Sequence, residues 1–350
     1  MKALIVNALG RGFDLEDVDI ASPIGREVLV EVQASGLCHT DLLFAVGHEV
    51  SGVVAQVGPD VTQFLVGDHV VGSLVQSCGS CARCQSGRSF QCRHPEATLR
   101  QLGGAPRLSR HGTALFQGMG LGGFAERALI HQNQLALVPK DMPFAQAALL
   151  GSGVVTGAGA VLNIADVHAG DTVVIFGAGG VGLNAVSGAR IAGASRIAVI
   201  DLQSKRLEAA KQFGATDVID STKADPVEAV RSLLPHGADH VFDFVAESRG
   251  GAGARHAGRG RRPLSRRRHQ ARGRPRREHF RCYRRTEVRP GRELWLDQLQ
   301  EHIPMYAELY LQGRLNLDAL VSKRIALRDV NDGSAALKSG SLNRVVMTSF

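Results

Sequence analysis

Four cysteines, Cys78, Cys81, Cys84 and Cys92, fall within a fifteen-residue stretch, separated by two, two and seven residues. Thiolates packed this densely can close a tetrahedral zinc shell with no open position, the arrangement of a structural metal. Such a site orders its loop and releases protons as the metal binds. The two remaining cysteines, Cys38 and Cys282, stand far from the cluster. One tight group of four speaks for metal rather than for a disulfide framework.

A second pattern points to phosphate. Val173-Val174-Ile175-Phe176 runs into Gly177-Ala178-Gly179-Gly180-Val181-Gly182. The apolar run reads as a buried strand and the segment after it as the start of a helix. Gly177 permits a tight turn, Gly179 lets a pyrophosphate approach the backbone, and Gly182 lets helix pack on strand. Free N–H groups at the helix N-terminus serve the phosphates. A second strand ends at Asp201, whose carboxylate can accept from both ribose hydroxyls and repels a 2′-phosphate. The expected cofactor is NAD rather than NADP.

The elements that must position these residues fall into two styles. Residues 1–75 show short Val-rich alternating runs separated by Gly and Pro, a β-rich pattern. From Ala145 to Ile164 a charge-free stretch reads as a buried helix, although it is long enough to span a bilayer. Strands at 173–176, 196–200, 217–219 and 240–245 then alternate with helices at 181–192, 204–213 and 225–234, a βαβ rhythm that implies a parallel sheet. The rhythm stops at Arg249. A helical segment, Pro304–Gln312, leads into the C-terminal region.

With 350 residues, 44% of them hydrophobic and 21% charged, the chain can form one large or two ordinary domains. Its formal charge of +8 invites a nucleic-acid reading, but the charge is local. Residues 249–292 hold 17 Arg, no Lys, and only Glu278 and Glu287 as acids; elsewhere 24 basic residues meet 31 acidic ones. The protein is mildly acidic with one very basic insert. Met1 to Asp19 offers no secretory apolar region, and a cytoplasmic location is expected.

Gly36-Leu37-Cys38-His39-Thr40-Asp41 and Gly47-His48-Glu49 would each be ordinary turns alone. Together with the four-cysteine cluster and the glycine fingerprint, they make the chain resemble the zinc-dependent medium-chain alcohol dehydrogenases, over residues 1–248 and about 301–350. The resemblance implies an α/β protein. A GroES-like, β-rich catalytic domain would comprise 1–145 and 305–350, with its zinc lobe at 78–92. A Rossmann NAD-binding domain, a doubly wound parallel sheet, would comprise 146–304.

By the same resemblance, Cys38 and His48 are ligands of a catalytic zinc, Glu49 is the acid beside it, and Asp41 orients His48. Thr40 relays the substrate proton toward solvent. His39 and Arg344 lie near the pyrophosphate, Thr156 touches the nicotinamide, and Arg206 serves the adenosine side. Gly177, Gly179, Gly180, Val181 and Gly182 cradle the cofactor, and Asp201 holds its ribose. The implied reaction is oxidation of an alcohol to an aldehyde or ketone, with Lewis-acid activation by zinc and hydride transfer to NAD. A dimer or tetramer is the family expectation, and no membrane or specific nucleic-acid partner is.

Three features depart from the family pattern. Only nine residues separate Cys38 from His48, where the family has about twenty; ten residue steps still reach about 36 Å, so both side chains can meet one metal. Ser152, in Gly151-Ser152-Gly153, stands where the family commonly has a third ligand, Cys. A hydroxyl stays protonated at neutral pH, so Glu49 or water would have to fill that position. Third, residues 249–292 contain Leu264, Phe280 and Val288 as their only large aliphatic or Phe side chains. No Rossmann strand is expected from them, the last two strands of the sheet should be disrupted, and the segment should be disordered.

Back-translating 256–300 and reading one base later permits a peptide containing ALYLVGV and SVRAGSYG, strand-like runs where the family has those two strands. A double frameshift between about Arg249 and about Gln300 would explain the arginine excess. Two other functional readings stand beside the main one. A thiol-adduct formaldehyde dehydrogenase belongs to the same superfamily. A nonspecific nucleic-acid binder would use the 17 arginines, with only Phe280 and Tyr283 available for stacking.

Overall fold

The computed structural model describes residues 1–8, 10–38, 41, 47–101, 103–245, 286–288 (backbone only), 298–340 and 342–350. Alternating Val residues build the first large sheet. Its central strand, Glu27–Leu37, is buried at nearly every position and so carries apolar residues on both faces. Val28 opposes Val57 and Gly36 opposes Glu49 across the antiparallel pair with Glu49–Val57. The sheet runs Leu135–Leu137, His69–Gly72, Glu49–Val57, Glu27–Leu37, Arg344–Ser349, Val321–Ala326, and Arg127–His131 pairs with the first half of the central strand. The last two strands of the chain therefore belong to the sheet of its first third, closed by Val345 opposite Leu37.

The second sheet is parallel, ordered Asp217–Asp220, Arg196–Asp201, Thr172–Phe176, His240–Asp243, Thr286–Val288. Val173, Val174 and Ile175 are fully buried, as expected of a strand covered on both faces. Helix Gly180–Ala192 packs Leu183, Val186 and Ala189 onto Val173 and Ile175 and ends at Gly193 in the left-handed conformation, φ +81°. The helices expected at 181–192, 204–213 and 225–234 appear as Gly180–Ala192, Ser204–Phe213 and Pro226–Leu233.

One expectation needs correcting. Thr286–Val288 forms a fifth strand, pairing in parallel with His240–Phe242, inside the stretch from which none was expected. Pairing uses backbone N–H and C=O groups, so a short edge strand does not require the apolar side chains that a central strand needs. No sixth parallel strand occurs among the described residues. The rest of the Arg-rich stretch lies outside them.

Helix Phe144–Ile164 is long and apolar enough to cross a membrane, but most of it is buried inside the protein. Two of its turns, Leu150–Val154 and Ala160–Ile164, are wide i→i+5 turns. Helix Leu299–Leu311 begins five residues before Pro304, because Leu299, Ile303, Tyr306 and Ala307 bury one helical stripe. The 145/146 and 304/305 junctions thus both fall inside continuous helices.

Candidate active site

The sheet explains how a shortened segment still gathers its side chains. Leu37 ends one strand and Glu49 begins its antiparallel neighbour, so the chain between them is the connection of a hairpin and its ends are side by side. Cys38 and His48 meet by register, without needing a long reach. Arg344, immediately before Val345, enters beside Leu37 from the other flank. The Sγ of Cys38, a ring nitrogen of His48 and a carboxylate oxygen of Glu49 lie within 4.8 Å of one another, and all three residues are buried.

Asp41 organises this cluster. Its Oδ1 lies 3.1 Å from His48 Nδ1 and accepts the Gly47 N–H at 2.9 Å. Its Oδ2 accepts the Cys38 N–H at 2.9 Å. Holding Nδ1 toward a carboxylate leaves Nε2 as the ring nitrogen for a metal. Burial alone would disfavour the imidazolium, but hydrogen bonds with Asp41 and Cys38 outweigh it and push His48 up to about 10. Burial raises the Cys38 thiol, yet Arg344 and His48 together hold it below its ordinary value. Burial also raises the Glu49 carboxyl, against the attraction of Arg344. The sulfur, imidazole and carboxylate donors gathered here fit a zinc ion.

Ser152 is buried within the wide helical turn Leu150–Val154. That turn borders the cluster: a Cβ on Gly153 would lie 3.5 Å from Glu49 Oε1 and 3.1 Å from Arg344 Nη2. Arg344 Nη2 in turn sits 3.3 Å from Glu49 Oε1. The same guanidinium reaches the glycine loop, where a Cβ on Gly180 would lie 2.9 Å from Arg344 Cζ.

The glycine loop has the form that a dinucleotide needs. Gly177 takes a φ of +90°, and a Cβ on Gly182 would run into the Gly177 carbonyl oxygen. A Cβ on Gly179, by contrast, would meet nothing within 4 Å. Among the described residues no atom demands glycine there, so the open space suits a pyrophosphate at the helix N-terminus. Asp201 takes one N–H on each oxygen, from Ala178 at 2.8 Å and Gln203 at 2.9 Å, and keeps lone pairs for further donors. Arg206 Nη1 lies 3.9 Å from Asp201 Oδ2. Val181 carries its carbonyl against Gly157, which brings the turn holding buried Thr156 beside the loop.

In the lobe, Sγ–Sγ separations are 3.9 Å for Cys78–Cys84, 3.6 Å for Cys81–Cys84 and 3.9 Å for Cys81–Cys92. A tetrahedron with zinc–sulfur bonds of about 2.3 Å has edges of roughly 3.8 Å. These sulfurs are too far apart for disulfides. Backbone N–H groups of Cys78, Cys81 and His94 point at the sulfurs of Cys92, Cys78 and Cys92, at 3.2–3.3 Å. The four residues fit a zinc ion.

The structure thus groups Cys38, Asp41, His48, Glu49 and Arg344 in one cluster and Gly177 to Gly182, Asp201 and Arg206 in a second. The four lobe cysteines form a third. His39 and Thr40 lie outside the described residues. Gly47, quoted in its motif but given no role from sequence, has a φ of +59°, and a Cβ there would sit 2.8 Å from the Phe124 backbone nitrogen. Its place directly before His48 was the available signal.

Comparison with known proteins agrees with this arrangement. The sequence model of the alcohol dehydrogenase GroES-like domain matches residues 25–140, and that of the zinc-binding dehydrogenases matches 180–250. An S-(hydroxymethyl)glutathione dehydrogenase of Synechocystis sp. is 38% identical over 261 residues, covering 70% of this chain and 71% of that protein. Its counterpart in Photobacterium damsela subsp. piscicida is 39% identical over 264 residues, with coverage of 70% and 72%. Among solved structures, an alcohol dehydrogenase zinc-binding domain protein from Burkholderia ambifaria superposes with a TM-score of 0.81 at 30% identity, covering 100% of this chain and 98% of that one. Benzyl alcohol dehydrogenase from Acinetobacter calcoaceticus also gives 0.81, at 28% identity, with coverage of 100% and 99%. By its glycine loop, its two donor clusters and these likenesses, the chain belongs to the zinc-dependent medium-chain alcohol dehydrogenase family.

Proposed function

We propose that this chain oxidises an alcohol with NAD, holding one zinc in the Cys78–Cys81–Cys84–Cys92 lobe and a second at Cys38, His48 and Glu49. The observation that carries this reading is the convergence of two sites on Arg344. One guanidinium lies 3.3 Å from the acid of the donor cluster and in contact range of the glycine loop. Hydride transfer needs an alcohol carbon and a nicotinamide side by side, and that convergence sets the two binding sites next to each other.

When bound, zinc at the cluster supplies a Lewis acid for the alcohol oxygen, and NAD supplies the hydride acceptor. The chain's own residues do the rest. Asp41 fixes the tautomer and direction of the His48 ring. Glu49 provides the carboxylate that Ser152 cannot replace with a thiolate. The N-terminus of Gly180–Ala192 and Arg344 receive the pyrophosphate, and Asp201 receives the adenosine ribose. Negative charge at Asp201 disfavours a 2′-phosphate, which selects NAD over NADP.

The substrate class follows the relatives: a thiol hemiacetal such as S-(hydroxymethyl)glutathione, at 36–39% identity, ahead of a benzylic alcohol at 28%. The test is NADH formation by zinc-loaded protein with formaldehyde plus glutathione, against benzyl alcohol, with NADP in a parallel arm. Turnover with the first pair is expected. Turnover with benzyl alcohol alone would reverse the order of substrates, and no NADH from any alcohol would overturn the activity.

A further inference from the structure

The His48 ring is aimed by the backbone before it as well as by Asp41. Gly47 occupies the left-handed region, φ +59°, and its carbonyl accepts the Gly123 N–H at 2.9 Å. A side chain at Gly47 would strike the Phe124 and Gly123 backbone, at 2.8 and 3.0 Å. The residues from Gln117 to Phe124 therefore act as the template on which Gly47, and hence His48, is set.

That template belongs to neither large sheet. It is held by side-chain amides. Gln117 Nε2 donates to the Leu121 and Leu129 carbonyls at 2.8 and 3.0 Å. Gln134 Nε2 donates to the Met119 carbonyl at 2.9 Å and to that of Ser73 at 3.2 Å. Gln117 Oε1 accepts from Arg107 Nη1 at 3.4 Å, and Arg107 Nη2 donates to the Thr98 carbonyl at 2.6 Å. Thr98 closes the chain as it leaves the four-cysteine lobe: its hydroxyl donates to the Pro95 carbonyl at 2.9 Å and accepts from Gln76 Nε2 at 3.1 Å. Gln76 lies two residues before Cys78. Arg107 is itself buried, with Nε 2.8 Å from Glu27 Oε1.

An unbroken series of contacts thus runs from both ends of the lobe, through Thr98, Arg107, Gln117 and the Gly123–Gly47 bond, to His48. None of the residues between the lobe and His48 is a metal donor. We propose that Arg107 and Gln117 are positioning residues for His48, and that the lobe, by holding them, sets the metal affinity of the Cys38–His48–Glu49 cluster. The proposal rests on the reading of that cluster as a metal site. Residues outside the donor shell that orient a ligand are commonly worth about 10–100-fold in affinity. Physical adjacency makes such a path available, and coupling measurements decide whether it is used.

The test uses the full chain with Co²⁺ replacing zinc at both sites, read by absorption, since a four-thiolate site and a mixed sulfur–nitrogen–oxygen site have different cobalt spectra. Gln117→Leu removes all three hydrogen bonds of the amide at similar size. Arg107→Lys keeps the charge beside Glu27 but loses the fork to Thr98 and Gln117. Each variant should lose cobalt from the mixed-donor site to a chelator at about tenfold lower chelator concentration, with the lobe spectrum unchanged. Equal retention in both variants would overturn the proposal. So would parallel loss from both sites, which marks a defect of the whole fold. If the unmodified chain takes no cobalt at the mixed-donor site, the functional reading fails instead. Amide exchange at Gly47 and His48 then decides the positioning claim: faster exchange in Gln117→Leu supports it, and unchanged exchange sinks it.

Discussion

Arg344 and Glu49 form a buried ion pair, Nη2 to Oε1 3.3 Å, although 294 residues of sequence stand between them. The sheet brings them together, because the strand that starts at Arg344 is stitched to the end of Glu27–Leu37 while Glu49 opens the strand on its other flank. Among the described residues, neither Glu49 oxygen nor Arg344 Nη2 makes a well-aligned hydrogen bond, and all three atoms are buried. Two charges held out of water this way cost more than an apolar pair would. A metal taken by Glu49 and a phosphate taken by Arg344 would satisfy both groups, so the pair reads as a site held ready for two ligands.

Removing one partner should therefore be worse than removing both. Arg344→Gln leaves a buried carboxylate uncompensated and should lower stability by about 3 kcal/mol. Glu49→Gln combined with Arg344→Gln should recover part of that loss, giving a coupling energy in a double-mutant cycle of urea unfolding. The single variant should also bind NAD at least tenfold more weakly. Additive stability losses with NAD affinity intact would show that the pair serves neither role.

Ser152 offers a test in the opposite direction, a gain. The wide turn Leu150–Val154 already places this stretch of helix against Glu49 and Arg344. Ser152→Cys adds a soft donor that is anionic when metal-bound, in a side chain of almost the same size. Zinc retention at the mixed-donor site, followed by chelator competition, should rise by at least tenfold while the lobe is unaffected. Unchanged retention would place the third donor position elsewhere.

The local features were readable because each needs only neighbours in sequence. The parallel strands and their helices follow apolar periodicity, and the lobe follows the spacing of its cysteines. Contacts that depend on tertiary register were not readable. The meeting of Cys38 and His48 looked like a question of chain reach, and it is settled by Gly36 facing Glu49 in a hairpin. Gly47 matters through Phe124, which lies far along the chain. Thr286–Val288 pairs through its backbone, so its side chains gave no warning.

The acid limb of stability should be set around Glu27. Burial pushes His131 down to about 4, helped by Arg107 and Arg26. The unfolded chain protonates this histidine near pH 6.5, so stability is lost as pH falls from about 6.5 to 4, by about 3 kcal/mol in full. Burial raises the Glu27 carboxyl, but hydrogen bonds from Arg100 and Arg107 outweigh it and hold it below the usual range. Its contribution is present above the unfolded carboxylate pKa of about 4.3 and is lost as pH falls further. The urea midpoint should fall in two consecutive windows, and His131→Asn should flatten the upper one. A wild-type midpoint that stays level from about pH 7 to 5 contradicts the assignment of His131.

Metal loading of the lobe should be pH-dependent in the ordinary sense for thiolates. Backbone N–H groups, that of Arg93 foremost, draw Cys81 down to about 5, whereas burial and bonding to neighbouring sulfurs push Cys84 up to about 12. The metal-free lobe therefore keeps protons that zinc must displace, and its zinc affinity should rise steadily with pH. Calorimetry at neutral pH in buffers of differing ionisation enthalpy should show protons released on zinc binding. Binding without proton release would mean that the thiols are already fully ionised, against the value for Cys84.

The Arg-rich stretch makes a prediction about the gene. The zinc-binding dehydrogenase match ends at residue 250, one position after Arg249, and the relatives align over 70% of the chain. A Rossmann-domain match that ends two residues into a run with 17 Arg and no Lys is what a shifted reading frame produces. Sequencing the coding DNA from Phe244 to Tyr306 should reveal a frame that restores strand-like, valine- and leucine-bearing peptide in place of the arginines. Protein made from that frame should bind NAD more tightly than the chain as it stands, since the strands that continue a Rossmann sheet also complete its cofactor crevice. A DNA sequence that confirms the arginines, with no shifted frame able to encode ALYLVGV and SVRAGSYG, would make the insert a genuine part of the protein. Salt-dependent binding to nucleic acid would then be the property to measure next.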